Sequence, residues 1–199
     1  MNLFLKSTVR VGNYRFKKFK NNLTKRGGKK IIAPIFLIKM ENFSKIKKHI
    51  ESFGYNVTTY DFERPWGGFL VIDENQAEKF ADQFFDNISL VDLKISGKLS
   101  PKILIVNSNS RLSWQYHHRR AEIWRIYSGE VGIIRSNDDD QNPTETFKEG
   151  DQIRLKQGER HRLIGLEKQG LVAEIWIHTD PDHPSDEEDI VRVQDDFGR

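Results

Sequence analysis

The chain has 199 residues, with thirteen Phe and four Trp, enough for one well-packed domain. It lacks cysteine, which excludes disulfides and thiolate metal sites, and no apolar run approaches the roughly 20 residues that span a bilayer. The net charge of +3 is uneven: residues 1–39 hold eleven Lys or Arg and no acid, leaving 21 basic and 29 acidic residues, a net of −8, for 40–199. The overall charge therefore gives no support to a nucleic-acid partner for the body of the chain.

Residues 1–39 read as a separate piece, in which the basic run KKFKNNLTKRGGKK precedes the apolar patch IIAPIFLI. Nothing in it matches the patterning downstream, so it is expected to be a disordered tail, or to lie upstream of a true start at Met40. A targeting peptide, a nucleic-acid arm or a membrane-surface contact are its functional readings. A secretory signal fits poorly, because the patch contains Pro34 and no small-residue cleavage site follows it.

Residues 40–199 are expected to form a single domain. Phe43, Ile46, Ile50 and Phe53 fall at helical spacing and Gly54 is a good terminator, which predicts one amphipathic helix. A second is predicted over Asp73–Ile88, with Ala77, Phe80, Phe84 and Phe85 on one face. After it, β-rich runs alternate with turn clusters: PKILIVN, LSWQYHH, EIWRIYSGEVGIIRS, ETFKEGDQIRLKQG, HRLIGLE and LVAEIWIHT. Such spacing predicts an all-β sandwich or barrel. The acidic segment DPDHPSDEEDIVRVQDDFGR closes the chain.

The run LSWQYHHRRAEIWRIYSG carries the chemistry. Residues two apart on a strand point the same way, so Gln115 and His117 reach one interior point, which Glu122 and His161 can complete from neighbouring strands. Two imidazoles, a carboxylate and an amide oxygen suit a divalent ion such as zinc. Tyr116 and His118 point to the opposite face, so His118 is not counted as a ligand. His178 and His183 lie in the polar tail region and are expected in solvent.

The order and spacing of these residues resemble the cupin superfamily. In its first motif Asn109 stands at the leading glycine, Gln115 at the first histidine, His117 at the second, Glu122 at the acid and Gly129 at the end. In the second, Gly150, Gly158 and His161 match, while Lys156 replaces a proline and Gly165 an asparagine. A narrower resemblance is to the cupin domain of the bifunctional mannose-6-phosphate isomerase/mannose-1-phosphate guanylyltransferase family. It rests on RPWG at Arg64–Gly67, Lys102 in PKILIV, LSWQYHHRRAEIW at 112–124, GERHRLIG from Gly158 and the closing EEDIVRVQDDFGR. Ile123 departs from that pattern, and no nucleotide-binding βαβ unit precedes the motifs. Similar chains carry the label phosphoheptose isomerase, which leaves the sugar open.

The resemblance implies a mainly β fold, a cupin jelly-roll barrel with one or two N-terminal helices. It also implies a metal-dependent aldose–ketose isomerase of a sugar phosphate, with Gln115, His117, Glu122 and His161 as ligands of one divalent ion, zinc being expected. The proton transfer needs a base. The interior candidates are Glu174, Lys102 and Glu122; Glu174, the family's acid on the last barrel strand, is the first choice, and Lys102 is a second catalytic candidate or a phosphate contact. Glu174 pairing with Arg162 or Arg192 is its structural alternative. Arg192 and Arg64 are the leading substrate-phosphate candidates, with Arg162 and Arg120 secondary. Trp66 either closes the pocket mouth or, as favoured, packs. A non-catalytic sugar-phosphate or nucleotide-sugar binder and another cupin chemistry such as epimerisation remain open. The expected partner is a small-molecule sugar phosphate, with neither nucleic acid nor membrane, in a cytoplasmic protein for which a homodimer is plausible.

Overall fold

The computed structural model describes residues 10–11, 14–15, 35–88 and 97–198, with side chains of the first helix from Met40 onward. The chain divides into two compact units, 1–34 and 35–199. In the first, β1 (Arg10–Val11) pairs antiparallel with β2 (Tyr14–Arg15). The other residues of that unit, and with them most of the expectation for the leader, lie outside the described residues.

In the second unit α1 spans Ile35–Ser52, beginning directly after Pro34 and five residues upstream of Met40. Its first residues are apolar in sequence, so no periodicity marks them, whereas Phe43 and Ile50 fall where expected and are fully buried. Gly54 ends it at a φ of +82°, a conformation costly for residues with a Cβ. A 3-10 turn at Glu74–Gln76, capped by the Asp73 side chain, leads into α2 (Ala77–Phe84). Ala77, Phe80, Phe84 and Phe85 are buried together.

Two strands not singled out in the sequence precede α2. They are β3 (Val57–Asp61) and β4 (Gly67–Ile72), which form a hairpin around RPWG. Thr58, Thr59 and Tyr60 of β3 are exposed at the sheet edge, so the strand lacks an alternating apolar pattern. Gly68 lets this hairpin close, and Gly67 lets it approach the chain at Ile105. A Cβ on Gly67 would lie 1.8 Å from the Ile105 carbonyl oxygen, and one on Gly68 2.5 Å from that of Asp61.

The remaining strands are β5 (Lys102–Val106), β6 (Trp114–His117), β7 (Arg120–Ser128), β8 (Glu130–Ser136) and β9 (Glu145–Lys148). After them come β10 (Gln152–Leu155), β11 (Arg160–Gly165), β12 (Gly170–His178) and, following a 3-10 turn at Glu187–Asp189, β13 (Ile190–Gln194). They build a six-stranded sheet ordered β10-β7-β12-β5-β4-β3 and a five-stranded sheet ordered β13-β6-β11-β8-β9. This is the double-sheet cupin barrel with two N-terminal helices that the sequence motifs implied. The run EIWRIYSGEVGIIRS crosses from one sheet to the other at Gly129, whose φ is +84°.

Period-two alternation in the larger sheet separates two apolar layers. Ile103, Ile105, Ile123, Ala173 and Ile175 pack with Phe43, Ile50, Phe80 and Phe84 of the helices. Leu104, Val106, Trp124, Ile126 and Val172 pack with Val131, Ile133 and Leu163 of the other sheet. Both faces of the sheet are covered, which is why KILIV reads as an unbroken apolar run. The positions in phase with this second layer also include Lys102, Glu122, Glu174 and Trp176. Among the described residues no helix is long and apolar enough to cross a membrane.

Candidate functional site

His117 on β6, Glu122 on β7 and His161 on β11 are buried, and one ligand atom of each lies within 4.8 Å of the others. The trio bridges the two sheets: β6 pairs with β11, setting Gln115 opposite His161, while β7 belongs to the larger sheet. His117 Nε2 is 3.1 Å and His161 Nε2 3.5 Å from the Glu122 carboxylate. His161 Nδ1 lies 2.9 Å from the Glu159 carbonyl oxygen, to which it donates its proton. That leaves the lone pair on His161 Nε2, a buried atom with no hydrogen-bond partner. Burial, aided by the charges of His117 and Arg120, lowers the His161 pKa to about 4, so the ring is neutral at physiological pH. A neutral imidazole, oriented by a carbonyl behind it and with its free nitrogen beside a carboxylate, is the donor arrangement of a divalent-metal ligand. This buried His/Glu/His group could bind a metal.

Arg120 completes the cluster from the protein side. Its guanidinium donates to Glu122 Oε1 at 2.7 Å, Ser185 Oγ at 2.8 Å and the Asp186 carbonyl at 3.0 Å, and lies 3.2 Å from His117 Nε2. His117 Nε2 thus lies between this guanidinium and the Glu122 carboxylate, and His117 Nδ1 is a second buried atom with no hydrogen-bond partner. Burial pushes the Glu122 carboxyl up, but His117 and Arg120 outweigh it and hold it well below the usual range. Arg120 is thus engaged with the cluster and the C-terminal segment, which leaves it little to offer a substrate phosphate.

Glu174, on the neighbouring strand β12, is in the opposite state. Trp124 Nε1 lies 3.0 Å from Glu174 Oε1 and 3.1 Å from Glu122 Oε2, so one indole N–H is shared between the two carboxyl groups. Burial, then the charge of Glu122, pushes Glu174 up to about 8, against Lys102 and Arg120. At neutral pH Glu122 is ionised and Glu174 mostly protonated. Environments that drive two neighbouring carboxyls apart mark acid–base chemistry.

The cavity beside these groups is also lined by Gln115, Lys102, Arg64, Arg192, Trp66 and Trp176. Gln115 accepts a hydrogen bond from Ser113 Oγ at 2.6 Å. Arg64 Nε is 2.9 Å from Asp61, and Arg192 stands opposite Gln115 on β13. Lys102 lies with its ammonium 3.7 Å from the Trp176 ring centroid and pairs with Glu187. Trp66 is buried in the cavity wall, so packing and lining the pocket are one role.

Two sequence expectations fail here. Arg162, a substrate candidate, follows His161 on β11 and therefore points to the other face; it is fully buried, donates to the Gln194 carbonyl at 3.1 Å and does not line the cavity. The alternation that set His118 aside applies equally to Arg162. That placement also removes it as the partner of Glu174. His178, expected in solvent, is fully buried: Nε2 meets Ser100 Oγ at 3.2 Å, and Nδ1 accepts from the Ser185 N–H at 2.9 Å. The Asp-Pro-Asp-His-Pro composition reads as a loop, but the loop folds back and fastens to the end of β12. His183 is exposed. Trp124, Trp176 and Glu187 were missed; the two tryptophans carry a signal, standing two residues from Glu122 and Glu174 on their strands.

The family model for the mannose-6-phosphate isomerase C-terminal region matches residues 88–195. The chain belongs to this family. The match spans every strand from β5 to β13, and with them the His/Glu/His group and Glu174. Two proteins named xanthan biosynthesis protein XanB, from two strains of Xanthomonas campestris pv. campestris, are each 26% identical over 163 residues, covering 81% of this chain and 29% of the relative. The chain thus spans under a third of the length of these curated relatives. Similar solved structures include the capsular polysaccharide assembling protein CapF from Staphylococcus aureus, at TM-score 0.44 and 12% identity over 69% of this chain and 34% of that one. Another is a Cupin 2 conserved barrel domain protein from Salinispora arenicola, at TM-score 0.35 and 18% identity over 42% and 66%. In this family the chain is a sugar-related cupin.

Proposed function

We propose that this cupin is a metal-dependent aldose–ketose isomerase of a sugar phosphate, of the mannose-6-phosphate or heptose-phosphate type. The observation that carries the reading is the pair Glu122 and Glu174, held in opposite protonation states on either side of the Trp124 N–H. His117, Glu122 and His161, with Gln115 beside them, would hold one divalent ion, zinc being the best match to a nitrogen- and oxygen-donor set without thiolate. Bound there, the ion would polarise a sugar carbonyl or hydroxyl oxygen and stabilise the negative charge that develops on it.

The protein's residues do the rest. Glu174, in its ionised form, takes the proton from C2 of the open-chain aldose and returns it to C1 from the same carboxyl. The hydroxyl proton passes from O2 to O1, so that the enediol closes to the ketose with no net gain or loss of protons. Burial raises the Glu174 pKa to about 8 in the metal-free protein, and a carboxylate so placed is a stronger base than an ordinary glutamate. Trp124 orients the carboxyl through its N–H. Lys102, Arg64 and Arg192 bind the phosphate, while the walls formed by Trp66 and Trp176 keep water from the enediol. The substrate is a small molecule; the reading requires no nucleic acid or membrane, is compatible with a cytoplasmic setting, and leaves a homodimer open.

The test combines metal analysis of the purified chain with incubation of the metal-loaded protein with mannose-, fructose-, glucose- and heptose-phosphates. The expected result is interconversion of one aldose–ketose pair, abolished by chelation and lost in Glu174→Gln while binding is retained. Bound sugar phosphate with no conversion of any of the four would replace the enzyme with a sugar-phosphate binder.

A further inference from the structure

Lys102 opens β5 with its side chain 9% exposed, over the faces of Trp176 and, at 5.8 Å, Phe69. Aromatic faces attract an ammonium but offer it no lone pair. The acceptor comes from 85 residues downstream: the Glu187 carboxylate, 60% exposed, reaches in from the solvent side to bond Lys102 Nζ. Glu187 belongs to a turn that is fastened elsewhere. Asp186 Oδ1 accepts from the Glu188 and Asp189 N–H groups and pairs with Arg119. Asp189 accepts from the His118 and Arg119 N–H groups and from Ser185 Oγ. None of these bonds uses the Glu187 side chain, so its carboxylate can change rotamer while the turn stays in place.

We propose that Glu187 occupies the position at Lys102 that the phosphoryl group of the substrate takes, and that it must be displaced for that group to bind. Resting on the sugar-phosphate reading of the pocket, this makes Glu187 a specificity-determining residue. A phosphate monoester brings a charge of about −1.5 to −2 and three acceptor oxygens, against a single charge and two oxygens for the carboxylate. It therefore outcompetes Glu187 for Lys102 and gains from Arg64 and Arg192 on the same cavity wall. A neutral sugar has no charge with which to replace the counter-ion of a buried ammonium, and separating the pair on its behalf is unfavourable.

The test titrates inorganic phosphate into the full chain by calorimetry, for wild type, Glu187→Gln, Glu188→Gln and the double variant K102M/E187Q. Glu187→Gln is expected to bind phosphate roughly 2- to 5-fold more tightly, the upper part of the range given by releasing one partly exposed ion pair. Glu188→Gln removes the same charge one residue away and should change affinity less than twofold, and the double variant should lose the gain. In wild type, saturating phosphate should move the Glu187 carboxyl carbon resonance to that of a solvated glutamate, a readout independent of the variants' folding. If wild type binds phosphate but Glu187→Gln binds it equally or more weakly, or the resonance stays put, displacement is refuted and the phosphate pocket stands. If no protein of the four binds phosphate, the sugar-phosphate reading fails and takes this proposal with it.

Discussion

Glu174→Gln should make the metal-free protein more stable at neutral pH, even as it removes the proposed base. The Glu174 carboxyl ordinarily titrates at 4.5 and is raised to about 8 in the fold, chiefly by burial. Between those values the native state holds a proton that the unfolded chain releases, so stability falls as pH rises from 4.5 toward 8. At pH 7 the chain must take up that proton about 2.5 units above the ordinary value, a cost of about 3 kcal/mol. Glutamine is isosteric, keeps an oxygen for the Trp124 N–H, and titrates nowhere in this range. For a domain of this size the gain corresponds to a Tm increase of roughly 5–12 °C at pH 7. It should shrink steadily toward pH 4.5 and vanish below it, where the wild-type carboxyl is protonated in both states. Urea and thermal unfolding of chelator-treated protein at pH 5, 6, 7 and 8 measures it. A stability difference independent of pH, or a variant less stable at pH 8 than at pH 5 relative to wild type, would refute the assigned protonation state of Glu174.

Two further perturbations probe the metal group and the barrel. His161→Ala removes the unpartnered Nε2 and should weaken zinc binding by at least about a hundredfold in a competitive chelator titration, whereas His118→Ala, at an exposed position just after β6, should leave it unchanged. Gly67→Ala puts a methyl 1.8 Å from the Ile105 carbonyl oxygen, a backbone atom that cannot rotate away. It should cost roughly 3 kcal/mol or more in denaturant unfolding; a loss under about 1 kcal/mol would show that the hairpin is free to shift.

Much of the barrel was legible because period-two alternation depends only on backbone pleating. That rule brought Gln115 and His117 to one face and set His118 on the other. Applied to β11, it also separates His161 from Arg162, whose assignment to the substrate came from motif wording and not from geometry. The helices were legible where they are amphipathic. The start of α1, uniformly apolar, and β3, polar at an exposed edge, lack the contrast that periodicity needs.

The order of residues along single strands therefore determined the donor set of the candidate metal group, the strands that carry it and the glycines that turn the chain. Only the tertiary structure decided what those side chains meet. Glu122 and Glu174 both stand in the run Ala-Glu-Ile-Trp, and the local difference is Arg120, two residues before Glu122. One becomes a stable anion because Arg120 and His117 surround it; the other keeps its proton because burial and that anion face it. The Lys102–Glu187 pair joins residues 85 apart, and His178 is buried by a return of the chain that its composition hides. Protonation states and counter-ions depend on distances through space and on exclusion of water, and both exist only once the two sheets have closed.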